Sequence, residues 1–540
     1  VGTLWYGGKV RTMENEHDSK EAVFVKDGII RGTGTKEQLL SEFKEEITRM
    51  ENMEGAVMYP GFTDSHLHMV GHGEKLLKLD LSEIDSIEIL KNTLFEAAAK
   101  LPPGEWLIGE GFNENLYAEA KVPDRNILDE VTTEHPIILS RVCRHALVTN
   151  SYGLKLAGIT RETPEPSGGI IVKDNTGAPT GYLLDQAQDL IREAAPAISL
   201  NYVKKALGTS IDDLLSKGFV GGHTEDLNYY GDPSGTLAAF YEKIDGKKVK
   251  FRANLLIHHE VAEQILSEIS ASTEQNNFVE PGSVKIFADG ALGGRTALLS
   301  EPYADDETTK GVAIYSREEL QDIVKKARKL NMPIAVHTIG DAALELAIDI
   351  IEKYPPLLKG QRDRLIHIQV AREDLIHRMK KLPVILDLQP RFVASDFPWV
   401  IDRLGKERMK YSFAWKTLLD AGLICAGGSD APIEPVDPLL GIHAAVTRRK
   451  PEEKHEGYYP EQKLTLYEAL RLYTYGSAQA AGKEKEQGLI RSGYTADFTI
   501  LSKDLFELDP DEWLNVKVEK TVVDDTVMYD RKTGTVTMQN

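Results

Sequence analysis

His66 and His68 stand two residues apart in Gly61-Phe-Thr-Asp-Ser-His-Leu-His68. Residues i and i+2 of a β-strand point to the same face, so two imidazoles at this spacing can reach one metal ion. Three more apolar runs end in a metal-ligand type. They are Ala335-Val-His-Thr-Ile-Gly340, with His337; Leu365-Ile-His-Ile-Gln369, with His367; and Ala426-Gly-Gly-Ser-Asp430, with Asp430. Imidazole and carboxylate together suit zinc and similar divalent ions. Singly, each histidine reads equally well as a hydrogen-bonded core residue, and Asp430 as a helix cap or turn residue. Jointly, four imidazoles and a carboxylate at strand ends read as one site. Lys285 is the odd residue, inside the apolar run Ser283-Val-Lys-Ile-Phe-Ala-Asp289. A charged lysine in a barrel interior is costly unless paired. It either escapes to solvent, pairs with a carboxylate such as Asp289, or stays neutral and captures carbon dioxide as a carbamate.

The elements that must position these residues form an α/β pattern. Eight strands are predicted at Met58–His68, Phe219–Glu225, Phe251–His258, Val284–Asp289, Pro333–Thr338, Arg364–Gln369, Val384–Gln389 and Ile424–Asp430. Helical patterns fall between most of them, including Arg317–Leu330, Asp341–Lys353, Glu373–Lys381 and Ala414–Ala421. Eight strands with crossover helices predict a (β/α)8 barrel, a TIM-like fold that builds its active site at the C-terminal ends of the strands. That is the rim on which the histidines and Asp430 fall. Both chain ends read as short strands with turn signals, such as Asp27-Gly28. We therefore expect one small discontinuous β-sandwich domain from residues 1–57 and 485–540, with the barrel at 58–484. The chain between the first two barrel strands is far longer than a crossover needs. Residues 69–200 are expected to be an inserted subdomain that caps the active-site mouth, with strands near Trp106–Gly109, Ile137–Arg141, Gly169–Val172 and Tyr182–Leu184.

The 540 residues include 64 Lys+Arg and 84 Asp+Glu, a formal charge of −20. That balance argues against nucleic-acid binding and against docking on an anionic membrane. Two cysteines, Cys143 and Cys425, exclude a disulfide framework and a thiolate metal cluster and fit a reducing compartment. No run approaches the ~18 apolar residues of a transmembrane helix, and Val1–Lys20 lacks the pattern of a secretory signal. A cytoplasmic location is expected.

At these residues the sequence resembles the amidohydrolase superfamily of metal-dependent hydrolases over nearly its whole length. The terminal β domain, the His66/His68 string, His337, His367 and Gly428-Ser-Asp430 come in the family's order. Leu464-Thr-Leu-Tyr-Glu-Ala-Leu470 resembles the helix after the last barrel strand. Gly488-Leu-Ile-Arg-Ser-Gly493 with Ala496-Asp-Phe-Thr-Ile-Leu501 resembles the return to the β domain. Glu105-Trp-Leu-Ile-Gly-Glu-Gly-Phe112, Arg141-Val-Cys-Arg-His145 with Asn150, Gly177-Ala-Pro-Thr-Gly181 and the string from Lys285 to Thr296 resemble the YtcJ-like branch, which includes N-substituted formamide deformylases. Tyr494 stands where the superfamily often has lysine after the Gly493 position.

The resemblance implies hydrolysis of a C–N bond in a small amide-type molecule. It implies His66, His68, Lys285, His337, His367 and Asp430 as the metal site, two zinc ions per subunit, and a carbamate on Lys285 formed from carbon dioxide. Asp430 would accept a proton from the attacking water and deliver it to the leaving nitrogen. A homodimer is a family-level expectation. For substrate contacts the candidates are Arg141, His145, His223 and Arg295; His145 and His223 read as readily as local structural groups, and Arg295 as a salt bridge to Asp289 or a neighbour. A deaminase or another metal hydrolase on the same frame, and a metal-free scaffold, are the alternatives.

Overall fold

The computed structural model describes residues 1–141, 146–167, 169–196, 199–272 and 276–535. Its centre is a parallel eight-stranded sheet in chain order, made by Phe62–Leu67, Phe219–Thr224, Arg252–His258, Val279–Phe287, Ile334–Thr338, Asp363–His367, Val384–Leu388 and Cys425–Gly427. All eight predicted strands contribute one, so the TIM-like barrel is the fold. The first and eighth strands are joined by polar links rather than a ladder. Asp430 N donates to His66 O at 2.7 Å, and the buried Asp64 carboxylate accepts from Ser429 N at 3.1 Å and Ser429 Oγ at 2.6 Å. Inside the barrel, Arg364 forks onto Asp387 at 2.7 and 3.0 Å and also reaches Ser65 O.

The crossover helices obey local rules. Arg317–Lys329 begins with a Ser316/Glu319 capping box and carries Glu318 and Glu319 in its first turn, with Lys326, Arg328 and Lys329 in its last. Both features complement the unpaired backbone groups and the dipole. Leu320, Val324 and Ala327 form its buried stripe. The predicted helix Asp341–Lys353 is present over those residues.

The predicted first strand, Met58–His68, is two strands. Val57–Pro60 pairs antiparallel with Phe498–Leu501 in the terminal β region, and Phe62–Leu67 enters the barrel. Gly61 sits at the break, where a Cβ would lie 2.5 Å from the Val220 methyls. The apolar texture runs through Gly61 unbroken, so hydropathy could not show the change of sheet. The fourth strand starts earlier than expected, at Val279, despite Pro281 and Gly282.

The terminal β region has two sheets. One runs Ile29–Gly34, Ala22–Lys26, Gly2–Tyr6, Arg49–Asn52, all from the N-terminal end. The other mixes both ends, in the order Gly534–Thr535, Thr526–Asp530, Val518–Val523, Phe498–Leu501, Val57–Pro60, Lys9–Arg11, Ser19–Lys20. The chain divides into two compact units, Val1–Gly73 with Val203–Asn540, and Glu74–Tyr202. The second unit is built on a six-stranded sheet in the order Gly169–Lys173, Pro179–Asp185, Ala146–Thr149, Ile137–Arg141, Leu107–Phe112, Leu79–Asp80. One of its cores joins Leu90, Leu94, Leu128 and Leu139, and another joins Ile138, Leu147, Leu154 and Ile191. Among the described residues, no helix is long and apolar enough to cross a membrane.

Candidate metal centre

The barrel gathers the predicted ligands at one rim. His66 and His68 leave the first strand, and Asp430 follows the eighth. Asp430 Oδ1 lies 3.3 Å from His66 Nε2 and 3.3 Å from His68 Nε2. The three side chains offer ligand atoms all within 4.8 Å of one another. Around a tetrahedral ion with bonds of about 2.0–2.1 Å, neighbouring donors stand roughly 3.3 Å apart. His367 lies beside them, its ring 5.6 Å from that of His66 and 4.5 Å from that of His337.

Three of the four histidines are oriented through one ring nitrogen, as metal ligands commonly are. His68 Nδ1 donates to Glu225 O at 2.7 Å, so the neutral ring turns its Nε2 lone pair towards Asp430. His367 Nδ1 meets Gln389 Oε1 at 2.7 Å, which also frees Nε2. His337 Nε2 meets Gly290 O at 2.9 Å, which frees Nδ1. His66 Nδ1 is buried and without a hydrogen-bond partner. These donors, their spacing and their tautomers fit a divalent ion.

Lys285 projects from the fourth strand into this cluster. It is 0% exposed, and its Nζ lies 3.4 Å from His66 Nε2 and 4.3 Å from the Phe287 ring centroid. Asp289, the carboxylate suggested as its partner, instead accepts the backbone amides of Leu298, Ile339 and Gly340. Among the described residues no carboxylate oxygen lies within ion-pair distance of Nζ. Burial lowers the Lys285 pKa, against the opposing charge of Glu225 and Asp430.

The other titratable groups respond to the same crowding. Burial pushes His66 and His337 well below the ordinary imidazole value and His367 down to about 4. For His68 burial is overcome by its hydrogen bond to Asp430 and by the charges of Asp430 and Glu225, which lift it to about 9. Asp430 is held well below the usual carboxylate range; burial opposes this, and His66 and His68 outweigh it. Backbone conformations at the rim are also unusual, with positive φ at Asp430 (57°), His367 (78°) and Ile368 (46°). Such strain persists where the surrounding structure enforces it.

Three of the four substrate-contact candidates lie among the described residues. His223 is on the second strand, two residues below Glu225; it is buried, with Nδ1 unpartnered. Arg295 forms a two-pronged pair with Asp305 at 2.9 and 3.1 Å, not with Asp289. Arg141 forks onto Glu114. His145 lies outside the described residues, as does Cys143. Cys425 is a buried free thiol. Sequence reasoning missed Glu225, Gln389 and Gly290, which orient the imidazoles. Their only signal was position, just past the ends of the second, seventh and fourth strands.

The chain matches a family model described as the amidohydrolase family over residues 49–529. It is 50% identical over 531 residues to a protein named as an amidohydrolase, YtcJ of Bacillus subtilis (strain 168), covering 98% of this chain and 99% of that one. It is 27% identical over 542 residues to an N-substituted formamide deformylase of Arthrobacter pascens, covering 97% of each. A solved structure of an uncharacterized metal-dependent hydrolase from Pyrococcus horikoshii OT3 superposes with a TM-score of 0.77 at 28% identity, covering 94% of this chain and 99% of that one.

Proposed function

Because the chain belongs to the amidohydrolase family, we propose that this hydrolase cleaves the C–N bond of a small amide-type molecule, with N-substituted formamides as the first class to test. The observation that carries the proposal is the Asp430 carboxylate oxygen, 3.3 Å from the Nε2 atoms of both His66 and His68. A carboxylate so placed serves both as a ligand-type group and as a base at the reacting centre. The likeness to a named formamide deformylase supports the choice of formamides.

His66, His68, His337, His367 and Asp430 would hold the metal, in our reading two zinc ions, with Lys285 as the bridging group. A bound divalent ion supplies carbonyl polarisation and lowers the pKa of water. The chain's own residues do the rest. Asp430 takes a proton from the attacking water and returns it to the nitrogen as the C–N bond breaks. Glu225 O, Gln389 and Gly290 O hold three imidazoles in one tautomer each. Lys285, whose cation burial disfavours, adds in its neutral form through Nζ to carbon dioxide; an N–C bond forms, one proton leaves, and the product is a carbamate with two oxygens. The low-dielectric surroundings that make a lysine cation unfavourable here favour this neutral nucleophile.

The test is a panel of N-formyl and N-acyl amines, cyclic amides and aminopurines, scored by release of amine or ammonia. Metal-loaded protein should release amine from one or more amides, and a chelator should stop it. Release of ammonia from aminopurines alone would replace amide hydrolysis with deamination.

A further inference from the structure

His258 ends the third barrel strand, at the same rim as the predicted ligands. Its register partner on the fourth strand is Lys285, so the two side chains share the inner face of the sheet. Its ring lies 6.1 Å from that of Phe287 and 6.3 Å from that of Tyr229. Tyr229 OH in turn donates to the buried Glu225 carboxylate at 2.7 Å. His258 therefore borders the cluster without joining its ligands.

The hydrogen bonds at His258 fix where its proton sits. Glu260 N points at Nδ1 from 3.3 Å, and a backbone N–H can only donate. Asn228 Nδ2 also lies 3.3 Å from Nδ1; its orientation is set by a 2.9 Å bond from the same nitrogen to Glu260 Oε2. The Glu260 carboxylate itself stands 3.9 Å from Nδ1, beyond hydrogen-bond reach. Two donors on Nδ1 leave it as the acceptor, so a neutral ring carries its hydrogen on Nε2. Among the described residues no partner meets Nε2. The plane is held by stacking on His259 at 4.7 Å, and His259 Nε2 is tied to Tyr315 OH at 2.7 Å.

We propose that His258 is a catalytic residue: its Nε2–H donates a hydrogen bond to the scissile carbonyl oxygen and holds it as negative charge grows there. This rests on the amide-hydrolysis reading above. Donors oriented before the reaction act most strongly where charge develops, because no reorganisation is needed at that moment.

Two variants and one spectrum test it. His258→Phe keeps the stacked ring and removes the donor, whereas His258→Gln keeps an N–H donor. On an amide that the wild type hydrolyses, His258→Phe should lose about 100- to 1000-fold in kcat with KM within about threefold and metal content unchanged. His258→Gln should fall between it and the wild type. Nitrogen NMR of the metal-loaded, 15N-histidine-labelled protein, with the His258 signal assigned by its loss in His258→Phe, should show the Nε2–H tautomer. The proposal is overturned by an Nδ1–H tautomer, by His258→Phe turnover within about threefold of wild type, by glutamine no faster than phenylalanine, or by a loss that follows lost metal. If the wild type hydrolyses no amide, the amide reading and the carbonyl role of His258 fall together, and an Nε2–H spectrum then upholds the donor geometry alone. If amides are hydrolysed, the variants judge His258 separately.

Discussion

Lys285 Nζ lies 3.4 Å from His66 Nε2, inside a barrel where Lys285 has no exposed surface and no carboxylate within ion-pair distance among the described residues. A lysine so buried, beside an imidazole instead of an acid, does not contribute to stability as an ion pair does. Its position is understandable if the amine is neutral and reactive. Replacing it with methionine, of similar length and without the polar end, should stabilise the metal-free protein by about 1–3 kcal/mol. The same change should remove most metal binding and turnover. Urea unfolding of chelated samples and metal analysis read the two effects. A Lys285→Ala variant whose activity recovers with added short-chain carboxylate would show that a carboxylate-like bridge is what the lysine supplies.

Asp430 touches both first-strand histidines, so its charge and its basicity can be separated. Asp430→Asn keeps a side chain of the same shape and an oxygen that can still face the metal. Turnover should fall by about 100- to 10,000-fold, while bound metal stays largely in place. Kinetics paired with metal analysis on the same preparation check this. Wild-type-like turnover in the variant would remove the proton-transfer role.

Arg364 anchors the layer beneath the site. Its guanidinium is fully buried on Asp387 and reaches Ser65 O, next to His66. Arg364→Met strands the Asp387 carboxylate in the core and should cost about 3–5 kcal/mol. Pairing it with Asp387→Leu should recover much of that loss, because the uncompensated charge is then gone. Denaturant unfolding of the three variants measures both outcomes.

Much of this was legible in the residue pattern. Each barrel strand had its own apolar run, and the ligand types closed the right ones. What the pattern could not show were events that hydropathy does not record. Gly61 changes sheets without interrupting the apolar run, because a strand buried in either sheet has the same texture. His68 falls one residue past the first strand, yet its ring still converges, because Glu225 O turns it. Lys285 was conspicuous as a charge among apolar neighbours, whereas its missing partner was visible only in three dimensions: Asp289, the nearest acid in sequence, spends its oxygens on backbone amides. Arg295 found Asp305 for the same reason, since pair choice depends on loop geometry. The orienting roles of Glu225, Gln389 and Gly290 rest on contacts across strands, and in two of them the hydrogen-bond acceptor is a backbone carbonyl. No side-chain pattern could mark those.

The proposed chemistry requires the rim cluster to be a metal centre. Crystals of protein loaded with zinc, measured at the zinc absorption edge, test this most directly. We predict anomalous density within about 2.0–2.2 Å of His66 Nε2 and His68 Nε2, continuous with a carboxylated Lys285. Zinc density found only away from these side chains, with Lys285 a bare amine, would contradict it.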